Sequence, residues 1–133
     1  MNKILMIDDD WDFLDATRVV LESEGFDVEL ASTPKEGMGL TQDWKPDLVI
    51  LDVMMPDGYE GFEVARFIRE TLKRQDLPIV VLSGVLEKKK IPYYFPPGEA
   101  EVPIDVFLDK PINPKTLLAT LRELLAKQAA HKT

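Results

Sequence analysis

Five short aliphatic runs alternate along the chain with longer segments whose apolar residues recur at helical spacing. The short runs are Ile4–Ile7, Val28–Ala31, Leu48–Leu51, Ile79–Leu82 and Ile104–Leu108. Three are almost unbroken aliphatic, the pattern of strands covered on both faces in a parallel sheet. Between them, Phe13, Leu14, Thr17, Val20 and Leu21 share one helical face, and Gly25 supplies a stop. Thr33-Pro34-Lys35-Glu36 has the form of a capping box with proline at the first helical position, although Gly37 and Gly39 both weaken the helix it opens. Val64, Ala65, Ile68 and Leu72 stripe a third helix. Asn113-Pro114 opens a last one, striped by Leu117, Leu118, Leu121, Leu124 and Leu125. The pattern then stops, so residues 127–133 are expected to be a loose tail on a single domain spanning 1–126. Strand–helix alternation of this kind predicts an α/β fold with a parallel sheet and right-handed crossovers.

Composition narrows the function. Of 133 residues, 45% are hydrophobic and 30% charged, an ordinary globular balance for one domain. Acidic residues outnumber basic ones 24 to 16, a formal charge of −8 that would repel a phosphate backbone and argues against direct nucleic-acid binding. The absence of cysteine excludes disulfides, thiolate zinc sites and a cysteine nucleophile. The apolar run after Lys3 ends at Asp8, too early for a signal-peptide core. No stretch approaches the roughly 18 apolar residues of a membrane helix. A cytoplasmic protein without membrane insertion is expected.

The polar residues fall where they can act together. Asp8 and Asp9 follow the first strand, Asp52 ends the third, Ser83 the fourth, and Lys110 follows the fifth. In an open parallel sheet the carboxyl ends of the strands share one edge, where ligands bind at the topological switch point. Three ionised carboxylates brought together there repel one another unless a cation intervenes. An all-oxygen donor set favours a hard ion, and Mg²⁺ suits a site that also takes a phosphate. A hydroxyl and an ammonium would complete a cradle for a phosphoryl group, and Asp52 could accept it as a nucleophilic carboxylate. Taken singly, Ser83 reads as a turn residue, Lys110 as a solvated charge, and Asp10 and Asp12 as acids at a helix start. His131 has no apparent role, and Trp11, close to the aspartates, would serve as an optical reporter.

Four pieces in order carry a resemblance: Ile4-Leu5-Met6-Ile7-Asp8-Asp9-Asp10, Asp47 through Pro56, Pro78-Ile79-Val80-Val81-Leu82-Ser83-Gly84, and Phe107-Leu108-Asp109-Lys110-Pro111. From Lys3 to about Ala126 the chain resembles a response-regulator receiver domain of two-component signalling, of the chemotaxis-regulator-like, stand-alone type. The resemblance implies a flavodoxin-like doubly wound five-stranded parallel sheet of order 2-1-3-4-5. It implies that Asp52 is the phosphoacceptor, that Asp8, Asp9, Asp52 and the backbone carbonyl of Met54 hold Mg²⁺, and that Ser83 and Lys110 contact the phosphoryl group. Ser83 and Phe107 would be the switch pair, with core packing an equal reading of Phe107. The Lys110-Pro111 peptide would be cis.

Two segments depart from the family pattern. Pro56-Asp57-Gly58-Tyr59-Glu60-Gly61 is one residue longer than usual, beside the site. The stretch between Ser83 and Lys110 is also long, and Pro92, Pro96, Pro97 and Pro103 are incompatible with one long helix. An irregular or shortened fourth helix is expected, at most near Val85 to Lys90, with Tyr93, Tyr94 and Phe95 folded back into the groove rather than forming a partner patch. Met54 and Val85, two residues beyond Asp52 and Ser83, offer no side chain suited to orienting water, which implies slow self-dephosphorylation.

The function expected is acceptance of a phosphoryl group on Asp52 from a histidine kinase or phosphotransfer protein, dependent on Mg²⁺, with signalling to an effector protein through altered contacts. The chain would catalyse its own phosphorylation and dephosphorylation without being a turnover enzyme. No output domain is expected after the last helix. Two alternatives stand beside this reading. One is a phosphorylation-independent pseudo-receiver that only binds partners. The other is a haloacid-dehalogenase-type phosphatase built on Asp8-Asp9-Asp10, disfavoured by the lack of an acidic motif after Lys110.

Overall fold

Each aliphatic run forms a strand in the computed structural model, which describes residues 2–52, 61–83 and 104–132. The strands are β1 (Lys3–Ile7), β2 (Asp27–Ala31), β3 (Leu48–Asp52), β4 (Ile79–Ser83) and β5 (Val106–Asp109). All neighbouring pairs are parallel and the order is β2-β1-β3-β4-β5, the flavodoxin-like arrangement. Helices α1 (Trp11–Ser23), α2 (Pro34–Asp43), α3 (Gly61–Arg66) and α4 (Pro114–Lys132) are also described. The expected irregular helix between β4 and β5, the Tyr93–Phe95 segment and the lengthened loop after Pro56 lie outside the described residues.

Because alternate side chains of a strand point to opposite faces, the sheet divides the core in two. Ile4, Met6, Leu48, Ile50, Val80 and Leu82 pack with Leu14 and Leu21 of α1 and the leucine stripe of α4. Leu5, Ile7, Val49, Leu51, Ile79 and Val81 pack on the other side with Val64, Ala65 and Ile68. Each fully buried Leu or Ile contributes on the order of 1.5–3 kcal/mol, so the strands are fixed from both sides.

Local chemistry sets the helix ends. Asp10 caps α1 by accepting from Phe13 N at 3.2 Å, which leaves Asp8 and Asp9 for other work. At the other end Gly25 takes φ +91°, Gly25 N donates to Glu22 O and Phe26 N to Leu21 O, a Schellman stop sealed by Leu21 and Phe26. Thr33 caps α2 by accepting from Glu36 N at 3.1 Å, with Pro34 in the first turn. Helix α2 forms despite its two glycines. A Cβ at Gly37 would collide with the Ile7 side chain, so that glycine lets α2 approach β1 closely, while Gly39 faces open space.

Three features differ from the sequence pattern. The third helix ends in a π-helical turn, Phe67–Thr71, closed by Leu72 N donating to Phe67 O at 2.9 Å. Strand β5 begins at Val106 rather than Ile104, because Asp105 Oδ2 takes the Ile79 N–H at 2.8 Å where the ladder would begin. Helix α4 continues to Lys132 where a loose tail was expected from Lys127. Alanine, lysine and glutamine sustain helix without an apolar stripe, and Gln128 is buried.

Candidate phosphoryl-transfer site

The site forms at the carboxyl edge of the sheet. Asp8 N donates to Ala31 O at 3.0 Å, so Asp8 continues the line of β1, and its carboxylate accepts from Asp10 N at 3.0 Å. Asp52 is the last residue of β3, beside β1 in the sheet. Both carboxylates are buried, whereas Asp9 stands exposed at the rim. One oxygen from each of Asp8, Asp9 and Asp52 lies within 4.8 Å of the others.

Lys110 enters from the loop after β5. Its ammonium donates to Asp8 Oδ2 at 2.6 Å and to Asp52 Oδ2 at 3.2 Å, and it lies 4.6 Å from the centre of the Phe13 ring. Burial pushes the lysine pKa down, but the Asp8 hydrogen bond and the charges of Asp52 and Asp8 outweigh it, and the net shift is upward. Partial desolvation raises the Asp9 carboxyl above 3.8, and the neighbouring Asp8 carboxylate adds to the rise. Among the described residues, the carboxylates of Asp8, Asp9 and Asp52 gather around the Lys110 ammonium, an arrangement rich in negative charge. Its donors are all oxygens, with neither His nor Cys, which fits a hard divalent cation such as Mg²⁺.

The remaining sequence-derived candidates separate. The backbone of Ser83 closes β4 opposite Asp109, at the same sheet edge, while the Ser83 hydroxyl, Met54 and Val85 lie outside the described parts of the structure. Phe107 pairs with Val81 in register and packs, half-buried, against the α3 side of the core. The Lys110-Pro111 peptide is cis. Trp11 is half exposed on the first turn of α1.

Two participants escaped the sequence reading. Phe13 registers there only as part of an apolar stripe, and nothing in its spacing marks contact with Lys110. Arg69 carries no mark in the sequence, yet its side chain is only 4% exposed. It donates to Arg74 O and Leu77 O, each at 2.7 Å, and to Asp105 Oδ2 at 3.1 Å. It clasps the π turn, the approach to β4 and the start of β5 at the edge opposite the aspartates.

A family model for the response regulator receiver domain matches residues 4–122. The response regulator MprA of Mycolicibacterium vanbaalenii is 37% identical over 128 residues, covering 94% of this chain and 51% of that protein. The DNA-binding dual master transcriptional regulator RpaA of Synechocystis is 32% identical over 127 residues, covering 96% and 50%. The chain thus spans about half the length of these curated relatives. Among solved structures, a CheY-like receiver domain protein of Methanospirillum hungatei aligns with a TM-score of 0.82 at 28% identity over 98% of both chains. The chemotaxis protein CheY4 of Vibrio cholerae aligns at 0.76 with 29% identity, over 93% of this chain and 98% of that one.

Proposed function

The chain belongs to the response regulator receiver domain family, and from that premise we propose that Asp52 accepts a phosphoryl group in two-component signalling. The observation that carries the reading is the placement of Asp52: buried, 3.2 Å from the Lys110 ammonium, and clustered with Asp8 and Asp9.

The step is a displacement at phosphorus. An Asp52 carboxylate oxygen forms the new P–O bond while the bond from phosphorus to the donor breaks. The leaving group, the imidazole nitrogen of a phosphohistidine or the acetate of acetyl phosphate, departs with the electron pair. Lys110 holds positive charge beside the attacking oxygen and the incoming phosphoryl oxygens, and the Ser83 hydroxyl is assigned a hydrogen bond to one of them. Asp8, Asp9, Asp52 and the Met54 carbonyl would hold Mg²⁺, which when bound supplies the further positive charge that a second anion needs in this acidic pocket. Conversion of the Asp52 carboxylate to an acyl phosphate changes what Lys110 and Ser83 pair with, and Phe107 on β5 is assigned the part of passing that change to the protein surface. A histidine kinase or phosphotransfer protein is the donor, and an effector protein reads the altered surface.

Phosphate uptake from acetyl phosphate is the test. Incorporation that requires Mg²⁺ and is lost in Asp52→Asn supports the reading. Incorporation that survives in Asp52→Asn contradicts it. A wild type that binds Mg²⁺ yet takes up no phosphate from either acetyl phosphate or a phosphohistidine protein would instead be a binding module.

A further inference from the structure

Lys110 must stay beside Asp52 while keeping N–H groups available to an incoming anion. A lysine ammonium has three donors and a flexible stem, and two carboxylates alone would draw it toward the nearer, Asp8. Another carboxylate near the ammonium would add negative charge where a phosphoryl group has to enter. The negative face of an aromatic ring attracts a cation without bringing a formal charge or an acceptor oxygen, and it acts within about 6 Å of the ring centre.

Phe13 meets that requirement, with its ring centre 4.6 Å from Lys110 Nζ. Its packing does not itself demand an aromatic. Phe13 is half-buried and lines an open, largely apolar groove of about 500 Å³ with Ala16, Val20, Ile112 and Leu117, whose lining also includes Asp10 and Lys110, and on its apolar side leucine would serve equally. The sequence places it on the α1 face that carries Leu14, Val20 and Leu21, so α1 fixes the ring to the core while one face remains toward the ammonium.

We propose that Phe13 is a positioning residue for phosphoryl transfer, holding the Lys110 ammonium at the Asp52 carboxylate through a cation–π contact. This rests on Asp52 being the acceptor, and it assigns to α1 a part in the chemistry beyond supplying core packing.

The test compares wild type, Phe13→Leu and Phe13→Tyr in the full chain. Selectively labelled lysine gives an NMR signal for the Lys110 Cε protons, assigned with Lys110→Arg, in Mg²⁺-free protein. Ring-current shielding should move that signal upfield in wild type and Phe13→Tyr, and the displacement should vanish in Phe13→Leu. Phosphorylation by acetyl phosphate should slow about 3- to 10-fold in Phe13→Leu and stay within about 2-fold in Phe13→Tyr, consistent with a partly desolvated cation–π contact. An unshifted Lys110 signal in wild type overturns the proposal, as does a Phe13→Leu rate equal to wild type. If Phe13→Leu does not fold, an unshifted signal in Phe13→Tyr beside a shifted wild type overturns it. A wild type that takes up no phosphate from acetyl phosphate or from a phosphohistidine protein defeats the assignment of Asp52, and the NMR signal then decides by itself whether Phe13 holds Lys110.

Discussion

Lys110 Nζ donates to Asp8 Oδ2 at 2.6 Å, joining residues 102 positions apart and tying the loop after β5 to the end of β1. The contact closes the site across the sheet edge, with Asp52 of β3 between. It also makes the same carboxylates part of the fold's electrostatic balance and the candidates for holding a cation.

Lys110→Met should therefore lower the stability of Mg²⁺-free protein by about 2–4 kcal/mol, because it takes from buried Asp8 and Asp52 the ammonium that donates to both. Mg²⁺ should restore part of the loss. The lysine pKa is raised in the folded state, so its contribution is fully present below 10.5 and disappears only as pH climbs through the higher folded value. Urea unfolding with EDTA and with Mg²⁺ checks both points, and equal midpoints for variant and wild type without metal would refute them.

Asp9→Asn should act in the opposite sense. The folded state raises the Asp9 pKa above 3.8, so the ionised carboxyl opposes folding, and stability falls as pH rises through the folded value. Without metal, Asp9→Asn should be more stable than wild type near neutral pH, by less than about 1 kcal/mol because Asp9 is exposed and screened. The gap should open as pH rises above 3.8 and then level off. With Mg²⁺ present the order should reverse, since the variant loses a ligand. Thermal melts across pH, with and without Mg²⁺, measure this.

Arg69→Met should cost about 2–4 kcal/mol, since it strips hydrogen bonds from the Arg74 and Leu77 carbonyls and leaves Asp105 without its guanidinium. Burial lowers the arginine pKa and Asp105 opposes that shift, but the group stays charged near neutrality. Asp105→Asn should cost less, because an amide oxygen can still accept from Ile79 N. Chemical denaturation ranks the two, and the reverse order would contradict the clasp.

Gly37→Ala and Gly39→Ala form a matched pair in one helix. Both gain up to about 1 kcal/mol of helix propensity. Only the first drives a methyl group into Ile7, an overpacking cost of about 1–3 kcal/mol. Gly39→Ala should raise the melting temperature and Gly37→Ala lower it, with partial rescue by Ile7→Val. A stabilising Gly37→Ala would show that Ile7 can move aside.

Much of this was legible in the sequence because the determinants are local or lie at strand ends. Unbroken Ile, Leu and Val runs mark buried parallel strands, and the chemistry of Asp8, Asp52 and Lys110 becomes visible once their strands share an edge. What stayed hidden depends on tertiary partners. The π turn accompanies Arg69 reaching carbonyls five and eight residues ahead, for which local sequence has no signature. Gly37 reads as a helix defect until Ile7 is seen against it. The continuation of α4 to Lys132 comes from helix formers that carry no stripe. Phe13 looks like core because its spacing is that of core, and only the lysine nearly a hundred residues later gives its face a further use.

Borohydride reduction converts an aspartyl phosphate to homoserine and marks the acceptor itself. Protein incubated with Mg²⁺ and acetyl phosphate, reduced, digested and mapped by mass spectrometry should carry homoserine at position 52, with aspartate intact at positions 8 and 9. Homoserine at position 8 or 9, or unaltered Asp52 in protein that has taken up phosphate, would contradict the assignment of Asp52 as phosphoacceptor.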